Sequence, residues 1–391
     1  MSAVGAIPTP EELAREYETR LAQSARAHYT NQQLLDDWME YMRPMIAPSS
    51  VKTWMSRSRI LAQWLDARAY HILSATRKEA LDYRGWLHEG KYARRSANAK
   101  PLQATTLHKS LSHASLFCNY LRDARGIMRL NPFTDVVKAF VKQHKSELQP
   151  ELRGLSEDDA RAILEGAEGL DDFALFLFLL KTGVRRDEAA RVRVDQIDWQ
   201  AHTVNLEAHA KRSYNKAYFD DEAAYFLKLK VERNKKLFPG NPYLWPSPRC
   251  KGKGMLPEAL NTQVKDMVKR SPLAKTIKDW SSGKEKVTAH TSRRAFTSWL
   301  KKARASAPLG CPSHIVATLR GDSLRSRSEL VPDPTQGIYT KLGTVDGIDE
   351  LRYWYDKCMP QLGARDAWER VLPATWDAKS IAALIRSAGQ A

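Results

Sequence analysis

The chain has 391 residues, 43% apolar and 27% charged, which is ordinary for soluble globular protein and long enough for two domains with separate cores. Its net charge is +17 and its isoelectric point is near 9.6, a balance that points to a polyanionic partner, nucleic acid first among them, with a solvated basic face as the plain alternative. Cys118, Cys250, Cys311 and Cys358 are far apart and form no C-x-x-C pair, so neither a zinc site nor a disulfide framework is indicated and a reducing compartment fits.

The N-terminus carries no apolar h-region, which argues against a signal peptide. The longest apolar run, Phe173 to Leu180, is too short to span a bilayer and reads as a buried helix. A protein of the cytoplasm, associated with DNA rather than membrane, is therefore expected.

In chain order, residues 1–29 read as a tail that becomes a helix, with Thr9-Pro10-Glu11-Glu12 in capping-box form. Residues 30–137 read as a helical domain, because the apolar residues recur at helical spacing. Leu34, Trp38, Met39 and Met42 form one group. Trp54, Ile60, Leu61 and Trp64 form a second, Ala80, Leu81, Tyr83 and Trp86 a third, and Leu107, Leu111, Leu116, Phe117 and Leu121 a fourth. Asn131-Pro132 is expected to close this block. The basic stretch 138–154, with Lys138, Lys142, His144 and Lys145, is the candidate linker, either crossing a DNA backbone or merely solvated.

The second domain, 155–345, opens at Leu155, with Ser156 as N-cap and Asp158 and Asp159 in the first turn. The helix through Phe173–Leu180 ends at Thr182-Gly183. The period then changes. Val192, Val194 and Ile197 alternate, Asp198 to His202 is a turn, Thr203–Leu206 a second strand, and Ala217–Phe219 a third, with Lys211 in the turn between. Helical pattern returns over Glu222–Lys236 and again after His290. Residues 346–391 are expected as a helical tail, in which Ile381, Leu384 and Ile385 share a face that could dock on a neighbouring protomer or on its own domain.

Five side chains in this frame suit phosphodiester chemistry. Arg185, just past the buried helix, can fork onto two phosphate oxygens, or it can simply pair with Asp187 or Glu188. His290 and Arg293 are three apart on one helix face, near an N-terminus that favours anions. His290 can move a proton near neutral pH. Lys211 can reach and protonate a leaving oxygen, although turn lysines are usually only solvated. Tyr339 can attack phosphorus if neighbouring cations stabilise its phenolate, with Tyr353 and Tyr355 as other tyrosines at hand.

Taken in order, Thr182-Gly183-Val184-Arg185 through Glu188, His290-Thr291-Ser292-Arg293, and Ile338-Tyr339-Thr340 resemble the boxes of the tyrosine recombinases, or phage-type integrases. The resemblance spans roughly residues 30–345 and takes in the entry helix from Leu155 and the segment Asn131-Pro132-Phe133. It implies a mainly α fold with a small antiparallel sheet in the second domain, a helical core-binding domain followed by an α+β catalytic domain, and two domains clamping duplex DNA. It implies catalysis by Tyr339, Arg185, Lys211, His290 and Arg293 through a 3′-phosphotyrosine, with Glu188 orienting the arginines. No metal, no cofactor and no ATP are called for. The partners implied are double-stranded DNA and three further copies, a tetramer on two sites.

The chain departs from the family pattern at one position. Where the family carries L-G-H, this chain has Leu319-Arg320-Gly321-Asp322, and an aspartate repels a phosphate. His314 or Arg320 could take over that contact, or the reaction could be slower. A type IB topoisomerase or telomere resolvase shares the residue set. A DNA-binding protein with an impaired recombinase site is the alternative that Asp322 favours.

Overall fold

The computed structural model describes residues 9, 20, 23–90, 102–148, 154–207, 214–274, 287–322 and 345–371. The chain divides into two compact units, Met1–Leu152 and Arg153–Ala391. The expected helix start at Thr9-Pro10-Glu11-Glu12 lies, past Thr9, outside the described residues, as does the C-terminal face of Ile381, Leu384 and Ile385.

The described residues of the first unit form helices joined by turns, with no strand among them. α1 (Asn31–Met42), α2 (Pro48–Ala67), α3 (Arg77–His88), α4 (Ala104–Asn119) and α5 (Thr134–Gln143) surround a core of Trp38, Trp64, Tyr83, Phe117, Phe133 and Phe140. Thr30 and Thr76 cap α1 and α3 as full capping boxes with Gln33 and Glu79. His113 is buried beside Ser58 at 3.0 Å and edge-on to Trp38 and Trp54. Burial, with the charge of Arg57 behind it, pushes its imidazole down to about 3, which makes it a neutral packing element.

Two expectations for this unit need correction. Leu81 and Leu116 face outward rather than into the core, each standing one position off a buried stripe. Asn131-Pro132 does not end the helical block, and the candidate linker 138–154 begins inside α5, because Val136 and Phe140 anchor that helix in the core.

The second unit is built around α7 (Leu170–Thr182), which follows α6 (Glu157–Leu164). Every residue from Phe173 to Thr182 is buried. A helix that is apolar all round has to be covered all round, and α8 (Asp221–Leu237), α9 (Pro257–Arg270) and α10 (Ala289–Lys301) pack against it. Burial of each large side chain contributes about 1.5–3 kcal/mol. Beside the bundle lies an antiparallel sheet of β1 (Ile197–Asp198), β2 (Thr203–Asn205) and β3 (Lys216–Tyr218), in that order, with Val204 opposite Ile197 and Ala217. The fold is mainly α with this small sheet, as expected. Of the alternating Val192, Val194 and Ile197, only Ile197 lies in the sheet, in β1, and Arg193 makes an isolated antiparallel bridge to Tyr243. The backbone of Val192 and Val194 hydrogen-bonds to Leu244 and Pro242, and Val194–Gln196 is a 3-10 turn.

The chain then forms α11 (Ser313–Leu319), α12 (Val345–Cys358) and α13 (Ala364–Val371). The last two correct the expected boundary at residue 345, since Leu351, Tyr355, Cys358, Leu362 and Trp368 sit in the same core as α7. They are fastened by a buried charge cluster. Lys181 of α7 is wholly buried, and its Nζ donates to Asp220, to Glu222 Oε2 at 2.6 Å and to the Pro360 carbonyl at 2.7 Å. Glu222 also accepts from the backbone N–H groups of Leu362 and Ala364. Removing one partner from such a group leaves uncompensated buried charge. Lys181→Met is therefore expected to destabilise the protein by about 3–5 kcal/mol, read as a lower midpoint in urea unfolding; a loss below about 1 kcal/mol refutes the assignment.

Candidate functional site

The site grows from the C-terminal end of α7. Gly183 caps that helix with φ +59, a left-handed conformation that glycine adopts without strain. A Cβ here would stand 2.5 Å from the ring of Phe296 on α10, so the missing side chain also lets α7 and α10 close together. Two residues on, Arg185 starts the short turn Arg186–Ala189. Glu188, buried at 4% exposure, accepts from the Arg185 backbone N–H at 2.7 Å and from its guanidinium at 3.0 Å. The pairing with Glu188 exists, but it occupies only one edge of the guanidinium. Asp187 pairs with Arg186 instead.

Opposite stands α10. Thr288 caps it, accepting from the His290 backbone N–H at 3.2 Å, so His290 lies in the first turn. One turn on, Arg293 is 2% exposed. Its Nη1 donates to the Gly183 carbonyl at 2.5 Å, and its Nη2 donates to the Arg320 carbonyl at 2.9 Å. Desolvation and the neighbouring charges of Arg185 and Arg320 push this guanidinium down to about 10. Desolvation, then Arg294, Arg293, Arg320 and Arg185, hold the His290 imidazole below its ordinary value, so it is neutral at pH 7.

The third wall is the end of α11, closed by a Schellman motif. Gly321 adopts φ +66, its N–H bonds the Thr318 carbonyl at 2.7 Å, and the Asp322 N–H bonds the Ala317 carbonyl at 3.0 Å. This fixes Asp322 at the mouth of the site. Its Oδ1 accepts from Arg185 Nη2 at 3.1 Å and from Arg293 Nη2 at 2.7 Å, while Oδ2 lies 3.3 Å from Arg320 Nε. Three guanidinium groups from three elements thus meet on one carboxylate. Two arginines that share a single oxygen atom at these distances can grip the non-bridging oxygens of a phosphate in the same way.

Of the residues expected from sequence, Arg185, Glu188, His290, Arg293, Arg320 and Asp322 come together. His314 stands apart from them along the chain of α11. It sits near the start of α11, about 9 Å along the axis from Arg320 at 1.5 Å per residue. Lys211 and Tyr339 lie outside the described residues, and by sequence Lys211 falls between β2 and β3. Tyr355 is excluded as a nucleophile, for it is wholly buried, its hydroxyl donates to the Lys181 carbonyl at 2.9 Å, and burial raises its phenol well above the ordinary value. Tyr353 is exposed, under the ammonium of Lys357. The Gly183 and Arg320 carbonyls, which hold Arg293, went unread in the sequence. The glycine after each helix end, Gly183 and Gly321, was the available signal. Among the described residues, no three His, Cys, Asp or Glu side chains converge as a metal site requires, and no helix is long and apolar enough to cross a membrane.

Residues 153–309 match the phage integrase family. That stretch contains Arg185, Lys211, His290 and Arg293 and stops short of Asp322 and Tyr339. No curated protein sequence matches the chain. Among solved structures, a lambda integrase dimer bound to a COC′ core site is 17% identical, with a TM-score of 0.53, 75% of this chain and 96% of that one covered. A lambda integrase tetramer bound to a Holliday junction is 16% identical, with a TM-score of 0.53 and 82% and 83% covered. The Tn1549 transposon integrase in complex with circular intermediate DNA is 16% identical, with a TM-score of 0.54 and 75% and 92% covered. At these identities the likeness is one of fold.

The Gly183→Ala variant is expected to lose about 1–2 kcal/mol from the left-handed backbone alone, with more from the clash against Phe296. Chemical denaturation measures this, and an unchanged midpoint removes the close approach of α7 and α10 as the device that builds the site.

Proposed function

We propose that this chain, a member of the phage integrase (tyrosine recombinase) family through its residues 153–309, is a site-specific DNA recombinase that cuts and rejoins duplex DNA through a 3′-phosphotyrosine. The observation that carries the reading is the convergence of Arg185 and Arg293 on one anionic oxygen, Asp322 Oδ1, at 3.1 and 2.7 Å. A phosphodiester in that fork has its non-bridging oxygens held and its growing negative charge neutralised as phosphorus becomes five-coordinate.

In this scheme the Tyr339 oxygen attacks phosphorus and the bond to the 5′ oxygen breaks. His290, neutral at pH 7, accepts the tyrosine proton, and Lys211 donates a proton to the departing 5′ oxygen. The phosphotyrosine conserves the bond energy, so the 5′-hydroxyl of a second duplex can reverse the step without ATP or metal. Glu188 positions Arg185. The net charge of +17 supplies the long-range attraction to DNA. The assembly proposed is a dimer on each DNA site and a tetramer across two, like the lambda integrase complexes, and the place of action is DNA in the cytoplasm.

The second reading, a DNA-binding protein with an impaired site, is favoured by Asp322, which fills the fork. A nicked suicide duplex separates the two. The recombinase reading expects a covalent adduct with the wild-type chain, none with Tyr339→Phe, and about 10²–10³-fold less with Arg293→Ala. DNA binding without adduct in the wild-type chain supports the impaired site, and an adduct that survives in Tyr339→Phe moves the nucleophile to Tyr353.

The depressed His290 fixes the sign of the pH profile. A proton acceptor that stays neutral to below 6.5 keeps adduct formation level as pH falls through 6.5, with the drop at lower pH and absent in His290→Gln. An acid limb centred above 6.5, or one retained in His290→Gln, removes His290 from that role.

A further inference from the structure

We propose that Asp322 is an internal stand-in for the DNA phosphate: in the free protein its carboxylate occupies the arginine fork, and DNA engages the site only by displacing it. The inference rests on the reading of Arg185 and Arg293 as phosphate ligands. The carboxylate is not a bystander at the rim. Its Oδ1 is shared by both fork arginines at 3.1 and 2.7 Å, and its Oδ2 faces Arg320 at 3.3 Å. Carboxylate and phosphate offer the same oxygen geometry to a guanidinium, and two anions cannot occupy one fork.

The displacement is built into the backbone. Asp322 is held by the Schellman motif of α11 through its own N–H and that of Gly321. Its side chain is 30% exposed and points across the mouth. Rotation about its side-chain bonds therefore takes the carboxylate out of the fork and leaves the cap intact. Arg293 stays in place when this happens, because the Gly183 and Arg320 carbonyls hold it independently of Asp322. Arg185 stays on Glu188. The fork is thus preformed, and Asp322 is its removable occupant.

The test uses the full chain with Asp322→Asn, which keeps the shape and removes the charge, and Asp322→Ser, which shortens the group. The first arm measures binding of inorganic phosphate by calorimetry and requires no catalysis. Both variants are expected to bind phosphate about tenfold more tightly than the wild type, and the gain is expected to vanish when Arg293→Ala is added. The second arm measures adduct formation on the suicide duplex at fixed salt, where both variants are expected to be faster. Phosphate binding that is unchanged or weaker in both variants, with the unfolding transition intact, overturns the proposal. A gain in phosphate affinity with no adduct in any chain sustains Asp322 as the occupant and overturns the recombinase reading instead.

Discussion

Two guanidinium groups that reach the same oxygen atom repel each other, and the second unit is organised around making that arrangement stable. Arg293 bears the larger cost. It is almost fully desolvated, and burial with the neighbouring arginine charges pushes its guanidinium down to about 10, leaving it charged at pH 7. The fold offsets this with main-chain carbonyls from two other elements and with two carboxylates. Glu188 serves Arg185 from below, and Asp322 serves both from the solvent side. A charged group this deeply buried is tolerated only where its remaining hydrogens find partners. The C-cap of α7 supplies the Gly183 carbonyl, and the C-terminal end of α11 supplies the Arg320 carbonyl and the Asp322 carboxylate.

The same helix end does a second task. Lys181 points into the core and gathers Asp220, Glu222 and the Pro360 carbonyl, while Gly183 and Arg185, two and four residues on, build the fork. Tyr355 links the two tasks. Its hydroxyl holds the Lys181 carbonyl, and its ring lies between Tyr218 of β3 and Phe296 of α10, 6.0 and 6.4 Å away. The helices α12 and α13 are therefore part of the scaffold that fixes the distance between α7 and α10, and with it the distance between the arginines.

What was legible in the sequence was local. A helix end followed by Thr182-Gly183, a capped helix start ahead of His290, and the three-residue spacing to Arg293 each carry their chemistry within a few residues. What escaped was set by contacts at long range. The stretch 138–154 looks like a basic connector until Phe140 is seen in a core, and residues past 345 look like a tail until Lys181 and Glu222 are seen to fasten them. The strand expected over Val192–Ile197 shortens to β1 because Val192 and Val194 take their backbone partners from a distant segment at Pro242–Leu244 instead. His314 is a reasonable substitute on composition, and its place near the start of α11 sets it about 9 Å along the axis from Arg320.

Asp322 was legible as a departure but not as an arrangement. An aspartate where the sequence resemblance implies a phosphate-binding histidine is unfavourable when judged against the ligand alone. Judged against the free protein it is favourable, because without it Arg185 and Arg293 would share the pocket with Glu188 alone as counter-charge on that side. A histidine there would add a donor for phosphate and nothing for the arginines in its absence. A carboxylate does the reverse: it stabilises the resting site and competes with the substrate. The exchange is a stability–function trade at a single residue, and its balance is set by how many phosphates the rest of the +17 chain can engage at once. If Asp322 is the fork's occupant as proposed, a short or isolated phosphate meets its full competition, whereas a duplex already gripped elsewhere presents its phosphate at high effective concentration and displaces the carboxylate. On the proposed reading, the carboxylate that lowers intrinsic affinity for the phosphate thus favours reaction on DNA bound along its length over reaction on fragments.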